Sequence, residues 1–171
     1  MMQQVVKLAT DEYTTASHIV YVDSDNVFFS GVTPASFMYD GKPKLYKTSY
    51  AELNKYAESR IAMDWQQRTA SVVGWQPEYE YMRILPSMYL AATLKNIRIA
   101  YPELPNQVAS KTGFDFSEFN VMGAFIDRYE QDAYHIIDTV IDGYPIRVAA
   151  FYWSYGGVTP AIKDEIEGFL R

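Results

Sequence analysis

The chain has no cysteine. That absence removes disulfides, thiolate metal sites and cysteine nucleophiles together. Histidine is nearly as scarce, with only His18 and His135, so imidazole chemistry has two places to sit. No long uncharged apolar run occurs, and no membrane-spanning helix is expected. The N-terminus lacks the basic-then-apolar order of a secretion signal, and the expected location is cytoplasmic. Basic runs are missing too, and the formal net charge is −6. Broad nucleic-acid binding through a phosphate-neutralising surface is therefore not expected. A small anionic ligand stays open, because a metal and one or two lysines hold a diphosphate locally.

What the chain does have is apolar bulk. At 171 residues and 49% hydrophobic content, it is long enough for one domain with a sizeable core. Fifteen tyrosines suit core edges and ligand grooves, since tyrosine buries area and keeps a polar tip. No internal repeat, low-complexity tract or linker interrupts it.

The stretch His18-Ile19-Val20-Tyr21-Val22 is rich in β-branched and aromatic residues and reads as a buried strand. It runs directly into Asp23-Ser24-Asp25. Period-2 geometry sends both carboxylates to one side if the strand persists, and a turn leaves both at its mouth. Two carboxylates this close repel each other, and a divalent cation with hard oxygen ligands relieves the repulsion. The expectation is a Mg²⁺ or Mn²⁺ site on Asp23 and Asp25 at the C-terminal end of a central strand, where open α/β sheets bind ligands.

Around this stretch the patterns alternate between helix and strand. Gln3 to Tyr13 reads as a helix, with Val5, Val6, Ala9 and Tyr13 on one face. Thr33-Pro34 marks the start of a short helix that ends before the Asp40-Gly41 turn. Lys44 to Lys47 alternates as a strand. Ser49 with Glu52 opens a long helical stretch, expected as two helices, that Gly74 stops. Tyr79–Leu85 reads as a strand closed by Pro86, and Tyr89 to Ile99 as a helix stopped before Pro102. A weak helix to Gly113 and a helix capped by Ser117 follow. Tyr134–Ile137 and Ile146–Tyr152 read as strands, and Thr159-Pro160 opens a last helix, Ala161–Leu170. The fold class is α/β, one domain, with a mixed sheet flanked by helices.

Several residues are candidates for chemistry. His135 begins a late strand, and imidazole is a good partner for an ion already held by two carboxylates; a strand histidine bonded to a backbone carbonyl is the competing reading. Glu118 sits in the first turn after the Ser117 cap. The helix dipole favours a carboxylate there, and one facing a cleft can also act as a general base, with Asn120 adding a hydrogen bond. Lys7, on the helix before the key strand, is placed to reach a phosphate. Lys42, Lys44 and Lys47 follow the acidic loop and either join the site or solvate a strand edge. Trp153 beside Ser154-Tyr155-Gly156-Gly157 is a platform for a sugar ring or a core residue beside a turn. His18 reads as a packed residue.

Four blocks together resemble the GT-A-fold glycosyltransferases that use nucleotide-sugar donors. They are Gln3-Gln4-Val5-Val6-Lys7-Leu8-Ala9 leading to Asp23-Ser24-Asp25, then Asp40-Gly41-Lys42-Pro43-Lys44-Leu45-Tyr46, then Ser117-Glu118-Phe119, and last Tyr152-Trp153-Ser154-Tyr155-Gly156-Gly157. The chain is similar, along nearly its whole length, to an uncharacterised bacterial and viral group of glycosyltransferase-like proteins. The resemblance implies that Asp23 and Asp25, the Asp-x-Asp motif, hold Mn²⁺ or Mg²⁺ on the diphosphate of the donor, and that Glu118 faces a hydroxylated acceptor as the base of an inverting reaction. It makes His135 a candidate late metal ligand. It also implies that the first nucleotide-binding strands of the fold are missing, so that a second chain or another copy covers an exposed sheet region. Two other readings compete. One is a non-catalytic binding or assembly module of the same fold. The other is a haloacid-dehalogenase-like phosphatase, whose opening strand also ends Asp-x-Asp; here Asn26-Val27 replaces its usual Gly-Thr, and no Gly-Asp-x-x-x-Asp motif follows.

Overall fold

The longest strand organises the largest sheet. A computed structural model describes residues 2–23, 25–55, 59–109, 117–145, 147–152 and 157–169. Strand β4 (Lys42–Ser49) alternates at its start, exposed Lys42 with buried Pro43 and half-buried Lys44 with buried Leu45, and buries Thr48 near its end. It forms a hairpin with β3 (Met38–Tyr39), pairing Tyr39 with Lys42 and Met38 with Pro43. The two turn residues, Asp40 and Gly41, have φ of 47° and 76°, the left-handed pair that matches strand twist in a two-residue hairpin. The far end of β4 pairs antiparallel with β5 (Tyr79–Glu80). Its other edge pairs in parallel with β7 (His135–Asp138), Leu45 against Ile136.

Two further antiparallel pairs complete the strands described. β1 (His18–Tyr21) pairs with β6 (Ser87–Leu90), from His18 opposite Leu90 to Tyr21 opposite Ser87. β2 (Asn26–Phe28) pairs with β8 (Ala149–Phe151), Asn26 opposite Phe151. The expected central strand of an open sheet is therefore corrected. Among the described residues β1 has one partner, and that partner is antiparallel. The class is mixed α/β, built from small sheets and helices.

The helices follow their end signals closely. α1 spans Met2–Leu8, shorter than the predicted run to Tyr13, and a single 3₁₀ turn over Thr10–Glu12 follows it. The Thr10 hydroxyl donates to the carbonyls of Val6 and Lys7, satisfying acceptors that a terminated helix leaves open. Thr33 and Ser36 make a reciprocal capping box around the 3₁₀ turn Pro34–Phe37. The long stretch after Ser49 divides as expected, into α2 (Tyr50–Leu53) and α3 (Ser59–Val73). Gly74, at φ 81°, ends the second. Then come α4 (Ala91–Ala100), α5 (Leu104–Ala109), α6 (Glu118–Tyr129) and α7 (Pro160–Phe169). The expected continuation of α5 to Gly113 and the turn after Trp153 lie outside the described residues.

The elements on either side of Pro86 also differ from the sequence pattern. The predicted strand Tyr79–Leu85 is strand only at Tyr79–Glu80, and Ser87–Leu90, in part assigned to a helix, is β6. Tyr89 and Leu90 take strand geometry because Ile19 and His18 stand opposite them; α4 starts only at Ala91, whose N–H bonds the Ser17 carbonyl.

Helix α6 is the centre of the core. Every residue from Glu118 to Ile126 is buried, against Tyr81, Tyr89, Leu94 and Ile97 among others. A helix buried this completely has to present small residues where its neighbours come close. A Cβ on Gly123 would lie 2.1 to 2.6 Å from three Tyr81 side-chain atoms. Buried α6 is what carries Glu118 inward to the end of β1.

Candidate functional site

Lys7 lies one residue before the end of α1 and is almost fully buried. Long cationic side chains are rarely buried unless paired, and this one is paired twice. Its Nζ donates to Glu118 Oε1 at 2.7 Å and to Asp23 Oδ1 at 3.0 Å. It also sits 4.4 Å above the centre of the Phe119 ring, a favourable place for a cation. The three charged residues come from α1, the end of β1 and the start of α6. Sequence reasoning named all three, and the fold brings them to one point.

Local structure explains each position. The Ser117 hydroxyl oxygen accepts from the Asn120 N–H at 3.3 Å and fixes the start of α6, which places Glu118 in its first turn. Strand β1 stops at Tyr21, and the Asp23 carbonyl accepts from the Asn26 N–H at 3.1 Å, closing a turn around the acidic pair. Asp25 Oδ1 accepts from Asn26 Nδ2 at 3.3 Å, and its carbonyl accepts from the Tyr152 N–H at 2.8 Å. The turn is thus anchored to β8 on the opposite side. Ser24 lies outside the described residues.

The cluster holds two carboxylates against one ammonium. Burial by itself lowers the Lys7 pKa, but Glu118 and then Asp23 more than offset it, and the pKa is raised. Lys7 is a fixed cation at neutral pH. Exposure divides the carboxylates: the Glu118 side chain is 6% accessible and that of Asp23 is 32%. Asp23 is the member that a ligand in solution reaches first.

The remaining candidates separate from this point. His135 is on β7, in the sheet of β4, and its ring stacks on Tyr39 at 4.2 Å between centres; it does not join the Lys7 cluster. Among the described residues no group of three or more histidine, aspartate or glutamate side chains is arranged to hold a metal ion. Asn120 is structural: its Oδ1 accepts from the Tyr81 N–H at 2.8 Å and it is fully buried. Lys44 donates to the Ser36 carbonyl and Lys47 to Asp127, while Lys42 is an exposed β4 residue. His18 shares a hydrogen bond with the Ser17 hydroxyl through Nδ1. Trp153 lies outside the described residues.

Sequence reasoning passed over Tyr21. Its hydroxyl donates to the Lys7 carbonyl at 2.5 Å, and its ring packs against Tyr89 and Phe119. A tyrosine at the inward end of a strand, two residues before an acidic pair, was the available signal.

The donor set fits a hard divalent cation in part. Mg²⁺ is commonly bound by one or two carboxylates, with waters and substrate phosphates completing its octahedron. Asp23 and Asp25 meet that minimum, although one oxygen of Asp23 is engaged by Lys7. Compared with known proteins, the chain matches no family model and no curated protein.

Proposed function

We infer that the protein binds a nucleotide-diphosphate sugar with a divalent cation and transfers the sugar to a hydroxylated acceptor, as a GT-A-like glycosyltransferase or part of one. The observation that carries this reading is the convergence of Lys7, Asp23 and Glu118 on one point, with Asp25 held in the same turn. Asp23 and Asp25 would hold Mg²⁺ or Mn²⁺. When bound, the cation supplies charge neutralisation for the departing diphosphate. Lys7 adds a positive charge beside Asp23 on the protein side. In an inverting transfer the acceptor oxygen bonds to the anomeric carbon as the bond from that carbon to the diphosphate breaks, and the hydroxyl proton goes to a base. Glu118 would take that proton, although its side chain is 6% accessible and held by Lys7. Its ion pair with Lys7 gives it a second task, to hold Lys7 and so set the position of Asp23.

A second reading is favoured by the burial of the same cluster. Lys7 is satisfied by two carboxylates without any ligand, as a structural ion cluster in a non-catalytic module would be. One experiment separates the two. Thermal unfolding is followed with Mn²⁺ alone, UDP or GDP alone, and each nucleotide with Mn²⁺. Donor binding raises the melting temperature by mass action, and only when nucleotide and Mn²⁺ are both present. Asp25→Asn is expected to abolish that rise while leaving the unliganded melting temperature within a few degrees of the parent. No rise in any combination overturns the transferase reading and leaves the structural one.

A further inference from the structure

One carboxylate of the acidic turn is claimed twice. Asp23 is the first of the two aspartates that would hold a divalent ion, and its Oδ1 already accepts from the Lys7 ammonium at 3.0 Å. Asp25 meets an amide instead, its Oδ1 accepting from Asn26 Nδ2 at 3.3 Å.

The two ion pairs of Lys7 are unequal. The bond to Glu118 is 2.7 Å long and joins side chains that are 11% and 6% accessible. The bond to Asp23 is longer and ends on a side chain that is 32% accessible. The backbone below is fixed separately, because the Lys7 carbonyl accepts from the hydroxyls of Tyr21 and Thr10. Above that anchor the ammonium rides on a flexible four-carbon stem. It can turn about Glu118 without moving α1 or β1, and the Asp23 contact is the one that gives.

Charge decides when it gives. A divalent ion on Asp23 would share one carboxylate with a full positive charge, and the two repel. A diphosphate reverses the balance. It brings negative charge of its own, and its oxygens suit both a hard cation and an ammonium. With it in place, Lys7 exchanges Asp23 for a phosphate oxygen, and the whole Asp23 carboxylate is left to the metal.

We propose that Lys7 is a built-in competitor for the metal position, which holds Asp23 against a free divalent ion and yields it to the ion when a diphosphate arrives. Ion and diphosphate then enter as a pair. This inference rests on the transferase reading of the acidic turn, and in it Lys7 is a positioning residue that acts through Asp23.

The test titrates the full chain with Mn²⁺, with and without UDP, and reads free Mn²⁺ from its electron paramagnetic resonance signal. The parent is expected to bind Mn²⁺ weakly by itself and more tightly with UDP. Lys7→Gln is expected to bind Mn²⁺ without UDP about tenfold more tightly than the parent, and to gain less from UDP. Asp25→Asn added to Lys7→Gln should remove that tighter binding, which places the ion at the turn. Lys7→Gln combined with Glu118→Gln has the net charge of the parent. Tighter Mn²⁺ binding is expected there too, free of any effect of overall charge, and this variant carries the test if Lys7→Gln does not fold. The proposal alone is overturned if the parent binds Mn²⁺ with UDP and needs Asp25 for it, while the folded Lys7 variants bind Mn²⁺ no more tightly than the parent or gain as much from UDP. It is also overturned if the tighter binding survives Asp25→Asn. A parent that binds no Mn²⁺ in either condition overturns the transferase reading, and this proposal with it.

Discussion

The hydroxyl of Tyr21 donates to the main-chain carbonyl of Lys7 across 2.5 Å. The last residue of β1 thereby holds the end of α1, and the lysine side chain is delivered to the acidic turn by a contact made through its own backbone. Tyr21→Phe keeps the ring packed on Tyr89 and Phe119 and deletes that bond. The expected loss is about 1 kcal/mol, measured by urea unfolding. Any Mn²⁺-dependent nucleotide binding should weaken with it, because Lys7 loses one of its anchors. A variant as stable as the parent would show that the Thr10 hydroxyl alone satisfies the carbonyl.

Alkali should unfold this protein early. Burial pushes the Tyr21 and Tyr134 phenols up to about 12 and raises Tyr50, Tyr81 and Tyr89 as well. Lys7 is also raised. In each case the folded state keeps a proton that the unfolded chain releases near pH 10. Their contribution is therefore complete below that value and is lost as pH rises through the folded pKa values. Each phenol removes roughly 1.4 kcal/mol per pH unit inside its window. Urea midpoints at about pH 7, 8.5 and 11.5 should be level between the first two and fall sharply at the third. A flat profile throughout would contradict the burial of these phenols.

Lys7→Met leaves Asp23 and Glu118 side by side with no cation. Removing one member of a buried ion pair costs about 3–5 kcal/mol, and denaturant unfolding should show a loss of that order. Adding Glu118→Gln should restore part of it by removing the stranded charge. If the acidic turn binds divalent ions, Mn²⁺ should stabilise Lys7→Met more than it stabilises the parent. An equal response from both would place the ion elsewhere.

Gly123→Ala tests the closest approach in the core. The added methyl would meet the Tyr81 ring and Cβ well inside contact distance. The ring has to move, and with it the bond from its hydroxyl to Asp127. Overpacking of this kind costs about 1–3 kcal/mol. Tyr81→Ala combined with Gly123→Ala should show the two effects to be non-additive.

Features written in a few neighbouring residues were legible in the sequence. Thr33-Pro34, Ser49, Gly74, Ser117 and Thr159-Pro160 each start or stop an element where the pattern placed it, because capping is chemistry between residues two to four apart. The acidic turn after β1 was legible for the same reason. β6 was not: nothing inside Ser87–Leu90 demands a strand, and its geometry is imposed by β1. The pairing of Lys7 with Asp23 and Glu118 depends on where α6 lies in the fold, although each residue had been singled out by itself. His135 failed to join them because parallel pairing with β4 sets its neighbours, and no local pattern records which strand a histidine will lie beside.

The pairing of β2 with β8 has a consequence for the order of events during synthesis. Asn26 leaves the ribosome well before Phe151 and Tyr152, which fasten the acidic turn through the Asp25 carbonyl. Contacts so distant along the chain form late. Until then the two aspartates sit on a nascent chain whose turn is fastened on one side only. Whatever this protein binds there, it should bind only once Tyr152 has left the ribosome.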